Sequence, residues 1–357
     1  MFDSGTWHYY QYGKLYNTST KIIARTTSQD RILQATEYFL AGFFGLDWTQ
    51  NATIEVNIEE LGFNTSLSSF LVCNNSRDLN TVNSGGTNAS AHWNSIYLAD
   101  ATKRFQSMVT GYNWTLRDTV AAQTLCPYDT YAYGYSPWCG VFTYPEWEGF
   151  EYSVDLGYAG SFAFQSPTAR ALGISWQQEI MARLQKHLIT KTNAANNITL
   201  DNNPEFFPLD QSLHFDFSHD TNMIPVLTAF GLKQFAEFLP ADGPPDPNRA
   251  LFISHLVPLA CRLEIEVIKA ESPVPADRSA PSKSGPPTTY IHFVLNQRTI
   301  PLGKSLPACG QRADGWCEIS DFFESQKDAV ALAKFDYSCY GDYPIVPYGK
   351  LTNGAPP

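Results

Sequence analysis

The chain has 357 residues, of which 43% are hydrophobic and 17% are charged, and its formal net charge at pH 7 is −11. This length and apolar content are enough for one large domain or two smaller domains with buried cores. The negative charge argues against nucleic acid as a partner, because a phosphate backbone requires a basic surface. A small phosphate ester is not excluded, since a local pocket of arginine and histidine can bind an anion on an acidic protein.

The first half of the chain has the patterns of one helix, one strand and a long helical stretch. Residues 31 to 44 have helical spacing of apolar side chains, and Gly45 can end that helix. Residues 53 to 58 alternate as a strand does. Helical patterns then cover residues 97 to 108 and 175 to 187.

Strand patterns return in the second half of the chain. Residues 263 to 267 alternate between apolar and charged side chains, and residues 290 to 295 predict a second strand. Residues 271 to 289 lie between them and are rich in proline and serine, which predicts a solvent-exposed hairpin connection. Ser320 is expected to cap a last helix that runs toward Lys334.

Residues 214 to 231 carry the most informative pattern in the chain. Phe215 and Phe217 alternate with polar residues, which predicts a short strand, and the apolar spacing of a helix follows. Pro225 has no backbone donor and belongs to the first helical turn, which places the helix start close to Asp220. An anion bound there would be stabilised by free amide groups and the helix dipole, and the carboxylic acid beside it could give a proton to a leaving group.

Seven Asn-x-Ser/Thr sequons predict passage through a secretory pathway. The glycosylation candidates are Asn17, Asn51, Asn64, Asn74, Asn88, Asn113 and Asn197. No apolar stretch is long enough to span a membrane. The amino terminus lacks the basic and then hydrophobic pattern of a signal peptide.

Three segments of the chain are similar to a known family. His219 and Asp220 follow a hydrophobic strand in Phe-Ser-His-Asp, and upstream Ile-Ile-Ala-Arg-Thr-Thr-Ser-Gln-Asp-Arg covers residues 22 to 31 before a helix. Between them, residues 126 to 147 contain Cys-Pro-Tyr-Asp, Ser-Pro-Trp-Cys and Phe-Thr-Tyr-Pro-Glu-Trp. Together these segments resemble the histidine acid phosphatases, and among them the fungal phytase-like branch, over nearly the whole chain.

The resemblance implies an α/β fold: a phosphoglycerate-mutase-like mixed α/β sandwich with an inserted helical cap domain. Residues 1–65 and 204–357 would form the α/β phosphatase core, and residues 66–203 the mostly helical cap. Members of the family carry an Arg-His-Gly-x-Arg-x-Pro motif near their amino terminus, but no Arg-His pair occurs in the 357 residues. The attacking histidine and the first strand of the sheet are therefore expected upstream of Met1.

The resemblance also implies a reaction. The chain would hydrolyse phosphate monoesters, phytate among them, through a phosphohistidine, with Asp220 as the proton donor to the leaving alkoxide. Arg25 would hold two phosphate oxygens and His219 a third, whereas Arg31 would be a surface or ion-pair residue. No cofactor and no metal are required, the partner is a small-molecule phosphate monoester, and the protein would be secreted.

The seven cysteines fit the same resemblance. The family's pattern implies three disulfides, which join Cys73 to Cys339, Cys126 to Cys139, and Cys309 to Cys317. Cys261 is then left over, either as a buried thiol or as a residue whose partner is absent. A buried thiol is the expectation.

Two other functions are compatible with the sequence. Without its nucleophile the chain would be a catalytically inactive phosphate-binding glycoprotein, or a gene-model fragment. Alternatively His214, Asp216, His219 and Asp220 could ligate a metal ion, which would make the protein a metal-dependent hydrolase. The second alternative is weakened because no further ligand cluster stands out in the sequence.

Overall fold

The computed structural model describes residues 21–278 and 284–357. The strands are β1 (Ile22–Thr27), β2 (Ala52–Asn57), β3 (Phe215–Asp216), β4 (Leu263–Ala270), β5 (Thr288–Leu295), β6 (Arg298–Ile300) and β7 (Cys317–Glu318). The α-helices are α1 (Asp30–Phe44), α2 (Asn74–Arg77), α3 (Gly85–Tyr97), α4 (Ala99–Met108), α5 (Leu116–Tyr133), α6 (Tyr144–Ser161), α7 (Ala169–Gln185), α8 (Ile198–Asp201), α9 (Asp220–Ala229), α10 (Ile253–Leu256), α11 (Ile319–Gln326), α12 (Ala329–Ala333) and α13 (Phe335–Tyr340). The architecture is mixed α/β, as the sequence predicts.

The first sheet is parallel and has β1 at its centre, in the order β2-β1-β3. β1 pairs with β2 over all six residues of each strand, and with β3 over two. Ile22 and Ala24 on one face of β1, and Arg25 and Thr27 on the other, are buried, as expected for a strand covered on both faces. Before β3 along the chain, the side-chain amide of Gln211 continues the pairing with β1: it accepts the N–H of Ile23 at 2.7 Å and donates to the carbonyl of Ile23 at 2.9 Å.

The parallel order collects polar side chains at one edge of this sheet. Parallel strands present their carboxyl ends on the same side, and this is where ligands bind in open α/β sheets. Arg31, in the first turn of α1, comes after β1 along the chain, and Glu59 comes after β2. His219 and Asp220 follow β3 at the start of α9. Residues distant in sequence therefore meet at one place.

Phenylalanines fix α1 and β3 to each other. Phe39 of α1 has its ring centroid 5.3 Å from that of Phe215 and 5.3 Å from that of Phe217, both in edge-to-face geometry. Phe43 lies 5.2 Å from Phe215. Edge-to-face aromatic pairs of this kind contribute beyond simple area burial, so the segment that carries His219 is held against α1.

The second sheet is antiparallel and is built on a long hairpin. β4 and β5 pair over eight residues, which confirms the hairpin predicted around residues 271 to 289. Asn296 and Gln297 have φ of 49° and 66° and form the tight turn between β5 and β6, where a two-residue hairpin requires left-handed backbone. Phe293 of β5 packs edge to face against Phe230, which caps the carboxyl end of α9, at 5.1 Å. The second sheet therefore supports the helix that begins at the site.

Between residues 66 and 203 the regular structure is helical throughout. One of these helices is not remote from the core: α7 packs tightly on α9, and a Cβ added to Gly173 would lie 2.1 Å from the carbonyl oxygen of Pro225. Only glycine allows that close approach. The last long helix of the predicted cap thus forms part of the support for the site helix.

The structure joins Cys73 to Cys339, Cys126 to Cys139, and Cys309 to Cys317, the three pairings that the resemblance implies. The first of them links segments 266 residues apart and is fully buried at both ends. Cys261 is a free, half-buried thiol.

The helix expected over residues 97 to 108 is confirmed as α4, which begins two residues later, at Ala99, because Leu98 separates it from α3. The prediction for the last helix is wrong in one detail. Ser320 is not an N-cap, because it lies inside α11, whose N-cap is Glu318. Glu318 also pairs with Tyr290 of β5, so strand β7 runs directly into the helix and leaves no separate capping residue.

Among the residues that the structure describes, no helix is long and apolar enough to cross a membrane. Four of the sequon asparagines are exposed: Asn64, Asn74, Asn88 and Asn113. Asn51 and Asn197 are half-buried, and Asn17 lies outside the described residues.

Candidate active site

His219 lies between a cation and an anion at the edge of the first sheet. Its Nδ1 is 3.3 Å from Nη2 of Arg31, and its Nε2 is 2.9 Å from Oε2 of Glu59. A guanidinium can only donate and a carboxylate can only accept, so Nδ1 accepts from Arg31 and Nε2 donates to Glu59. The two contacts fix both the tautomer and the orientation of the imidazole. Phe70 packs edge-on against the ring at 5.9 Å.

A fourth side chain closes these contacts into a ring of hydrogen bonds. Gln29 donates from Nε2 to Oε1 of Glu59 at 2.9 Å, and its Oε1 accepts from Nε of Arg31 at 2.8 Å. The order around the ring is His219, Glu59, Gln29 and Arg31. Because each member is held by its neighbour, Arg31 is oriented toward His219 even though it lies on the protein surface.

Asp220 is the first residue of α9 and has an exposed side chain. Its Oδ1 accepts the backbone N–H of Thr221 at 2.8 Å. Its Oδ2 accepts the hydroxyl of Tyr158, on α6, at 2.5 Å. The helix start places the positive end of the helix dipole beside His219 and Asp220. The amides of Asn222 and Met223 donate to the carbonyl of His219, and that of Thr221 donates to Asp220. The site therefore combines the positive end of a helix dipole, a guanidinium, an imidazole and a carboxyl group.

Arg25 lies apart from this group, within a buried cluster of carboxylates under β1. Its side chain is 3% exposed. Nε and Nη2 donate to Asp216 at 2.7 and 3.0 Å, and Nη2 also donates to Glu179 at 2.5 Å. Nη1 is 3.7 Å from Oδ1 of Asp201. In this structure the donors of Arg25 are directed at protein carboxylates, so the arginine that meets His219 is Arg31.

Two arginines pair with Asp216 in this cluster, Arg25 and Arg183. Arg183 of α7 forms a second two-pronged pair with Asp216, at 2.7 and 3.2 Å. Burial alone would raise the pKa of Asp216, but the charges of Arg183 and Arg25 outweigh it and hold that pKa well below its usual range. Burial alone would lower the pKa of Arg25, but Asp216 and Glu179 raise it further above its usual value. These ions stabilise each other inside the core.

The sequence contained a signal that separates the two arginines. Arg25 follows Ile-Ile-Ala and stands inside a six-residue strand, where side chains point alternately to the two faces of the sheet. Arg31 stands beyond the end of that strand, in the first turn of the next helix. Position relative to the carboxyl end of the strand, rather than similarity of the flanking residues, indicates which arginine reaches the site.

Asp201 makes the stability of the fold depend on pH. Burial, followed by the negative charge of Glu179, raises the pKa of Asp201 from 3.8 to about 8. As the pH rises from about 4 to about 8, the unfolded chain releases a proton that the folded chain retains, so stability falls over this window. Asp201→Asn cannot ionise. The free energy of unfolding of that variant, relative to the parent chain, should increase from pH 4 to pH 8 in urea titrations; a difference that does not change with pH would contradict this.

The four residues of the metal alternative do not converge. Asp216 is engaged by two arginines and accepts the indole N–H of Trp176 at 2.9 Å. Burial, followed by the charge of Arg183, lowers the pKa of His214 to about 3. Among residues 21–278 and 284–357, no three histidine, cysteine, aspartate or glutamate side chains are grouped in a way that could hold a metal ion.

Comparison with known proteins adds evidence of a different kind. The sequence profile of the histidine phosphatase superfamily (branch 2) matches residues 1–296. Phytase A of Emericella nidulans is 28% identical over 338 residues, which cover 91% of this chain and 68% of the relative. The thiamine-repressible acid phosphatase of Schizosaccharomyces pombe is 27% identical over 355 residues, which cover 95% of this chain and 68% of the relative.

A solved structure shares the fold. The crystal structure of the phytase from D. castellii superposes with a TM-score of 0.68 at 21% sequence identity, covering 97% of this chain and 66% of that chain. The chain thus spans about two thirds of the length of the relatives it matches. The family profile covers most of the sequence, and the resemblance drawn from the Phe-Ser-His-Asp segment is confirmed. The chain belongs to the histidine phosphatase superfamily, branch 2.

Proposed function

We propose that this protein is an acid phosphomonoesterase that acts on phytate or other phosphate monoesters by way of a phosphohistidine. The observation that carries the proposal is the position of His219 and Asp220 at the amino end of α9, with Arg31 3.3 Å from the imidazole. The matched relatives named as phytases and as an acid phosphatase support it.

The site residues have separate roles in this proposal. Arg31 binds oxygens of the phosphoryl group and stabilises the negative charge that develops on them, aided by the positive end of the α9 dipole. His219 binds a further oxygen when its Nε2 N–H, which donates to Glu59 in this structure, donates to the phosphate instead. Asp220 gives its proton to the oxygen that leaves. Arg31 takes the phosphate role first predicted for Arg25, since the donors of Arg25 are directed at carboxylates. The Arg-His-Gly motif is not among the 357 residues, so no residue here is assigned as the nucleophile.

The remaining properties follow the same proposal. Residues 1–65 and 204–357 are assigned to the phosphatase core, of which residues 1–20 and 279–283 lie outside the described part of the chain, and residues 66–203 are assigned to a cap. Three disulfides and seven sequons support a secreted glycoprotein, because disulfides persist in oxidising compartments. The ligand is a small-molecule phosphate monoester, and neither a cofactor nor a metal takes part.

A second candidate function is phosphate binding without turnover. The observation that favours it is the absence of an Arg-His pair from the sequence. Both functions use Arg31 and His219 to bind the phosphate. They differ in whether the P–O bond of the ester is broken, with Asp220 giving a proton to the leaving oxygen. Phosphate binding without release of product from any monoester would support the second candidate.

Replacing Arg31 by alanine should weaken phosphate binding and lower kcat/KM by about 10- to 100-fold, because one charged hydrogen-bond donor to the phosphate is lost. Isothermal titration with inorganic phosphate and steady-state kinetics measure the two effects. Arg117→Ala, an exposed arginine on α5, is the matched control and should change neither quantity. Equal phosphate affinity in the Arg31 variant and the parent chain would contradict the proposed role.

A further inference from the structure

Tyr158 reaches Asp220 from a distant part of the chain. The tyrosine lies on α6, 62 residues before Asp220, and its hydroxyl donates to Oδ2 at 2.5 Å. The other carboxylate oxygen, Oδ1, accepts the N–H of Thr221 at 2.8 Å. Two donors from two elements therefore set the plane of a carboxylate that is otherwise exposed to solvent.

The tyrosine itself is held firmly. Tyr158 is half-buried against the main hydrophobic core, and its ring centroid lies 5.2 Å from that of Phe162. The titratable groups that act on it are Asp220, Cys261 and Tyr128. Burial, followed by the charge of Asp220, raises the pKa of the Tyr158 hydroxyl far above its usual value of 10. The hydroxyl therefore stays protonated and remains a donor at any pH at which an acid phosphatase works.

We propose that Tyr158 is a positioning residue for the proton donor, one that holds Oδ2 of Asp220 toward the leaving oxygen and stabilises the carboxylate left behind. The inference rests on the proposed phosphomonoesterase function and adds to it a residue of the helical segment. The position of α6 therefore determines, through Tyr158, the orientation of the Asp220 carboxyl group.

The proton transfer can be followed atom by atom. Each carboxyl oxygen of Asp220 accepts one hydrogen bond in the structure, and a protonated oxygen can still accept one. We assign the transferable proton to Oδ2, the oxygen that Tyr158 positions. As the P–O bond breaks, its electron pair goes to the leaving oxygen, which takes the proton from Oδ2. The electron pair of the O–H bond stays on Asp220 as carboxylate charge. Tyr158 keeps its own proton, and its hydrogen bond strengthens because the acceptor is now ionised.

Tyr158→Phe removes the hydroxyl and little else, and the test is its dependence on the leaving group. An alkoxide needs a proton to leave, whereas 4-nitrophenolate leaves without one. We expect kcat/KM for glycerol 2-phosphate to fall about tenfold, the effect of one hydrogen bond to a charged group, and kcat/KM for 4-nitrophenyl phosphate to fall less than about twofold. Tyr131→Phe, a 79% exposed tyrosine on α5, is the control and should leave both unchanged.

A spectroscopic readout tests the contact without turnover. In protein labelled with tyrosine ¹³Cζ, the signal that is missing in Tyr158→Phe belongs to Tyr158, and Asp220→Ala should shift it by removing the acceptor. An unshifted signal would overturn the proposal, and so would equal losses on the two substrates, which would indicate a general structural disturbance. A parent chain that hydrolyses neither ester would overturn the phosphomonoesterase function itself, and this outcome is distinguishable because the ¹³C shift would still report the contact.

Discussion

Replacing Asp220 by asparagine is expected to lower kcat/KM for an alkyl phosphate by about two to four orders of magnitude, the usual contribution of a general acid. Asparagine keeps the shape, its single carbonyl oxygen can accept one of the two hydrogen bonds, and its NH2 group can donate to the Tyr158 oxygen. Because the side chain is exposed, the fold should be little affected. What it cannot do is give a proton to an alkoxide. The measurement is release of inorganic phosphate from glycerol 2-phosphate at acid pH.

Asp100→Asn is the matched control for this variant, because its side chain on α4 is 92% exposed and the substitution is chemically the same. It should retain the activity of the parent chain. An Asp220→Asn protein that folds and retains full activity on glycerol 2-phosphate would remove Asp220 from the mechanism.

Replacing Arg25 by methionine should lower the free energy of unfolding by about 3–5 kcal/mol, the cost of breaking a buried ion pair from one side. The loss of the guanidinium leaves Asp216 facing only Arg183 and leaves Glu179 without its cation. Urea unfolding monitored by circular dichroism measures the effect. Arg262→Met, which breaks an exposed pair with Glu264, is the control and should cost about 0–1 kcal/mol.

The same pair of variants separates the two roles considered for Arg25. If Arg25 is a structural ion, the variant is unstable, and the fraction that stays folded binds phosphate with the affinity of the parent chain. The opposite result is an Arg25→Met protein that is as stable as Arg262→Met but no longer binds phosphate. That result would support phosphate binding by Arg25 and contradict the assignment of this role to Arg31.

Local patterns predicted the scaffold of the site well, because they depend on neighbours in sequence. The alternation at Phe215 and Phe217 predicted a strand before Asp220 and the apolar spacing predicted a helix after it, and the structure has β3 and α9 there. The prediction that Pro225 lies in the first helical turn is wrong, because Pro225 is inside α9. The hairpin of β4 and β5 was equally predictable, because each of the two segments has the residue pattern of a strand in its own sequence. The family resemblance supplied the roles proposed for Asp220 and His219, which periodicity alone could not name.

Long-range contacts were not predictable in the same way. The hydrogen bond from His219 to Glu59 spans 160 residues, and the pair of Arg25 with Asp216 spans 191. The strand and helix patterns place Arg25 within β1 and Arg31 beyond its end, but they do not show that His219 and Glu59 lie beside Arg31, because that depends on which strands become neighbours. The contact of Tyr158 with Asp220 is not predictable for the same reason, because nothing in the sequence of α6 indicates that this helix lies beside the start of α9.

The central claim is tested most directly by incubating the native protein, purified from its source, at pH 5 with 4-nitrophenyl phosphate and with glycerol 2-phosphate, in the presence and absence of a metal chelator, and measuring released phosphate. The native protein is the sample because no nucleophile is assigned among the 357 residues. The account predicts saturable release from both monoesters that the chelator does not change. Release that the chelator abolishes would support the metal-dependent alternative. No release from either ester by a folded native protein that still binds phosphate would contradict the account and identify the protein as a phosphate-binding protein without turnover.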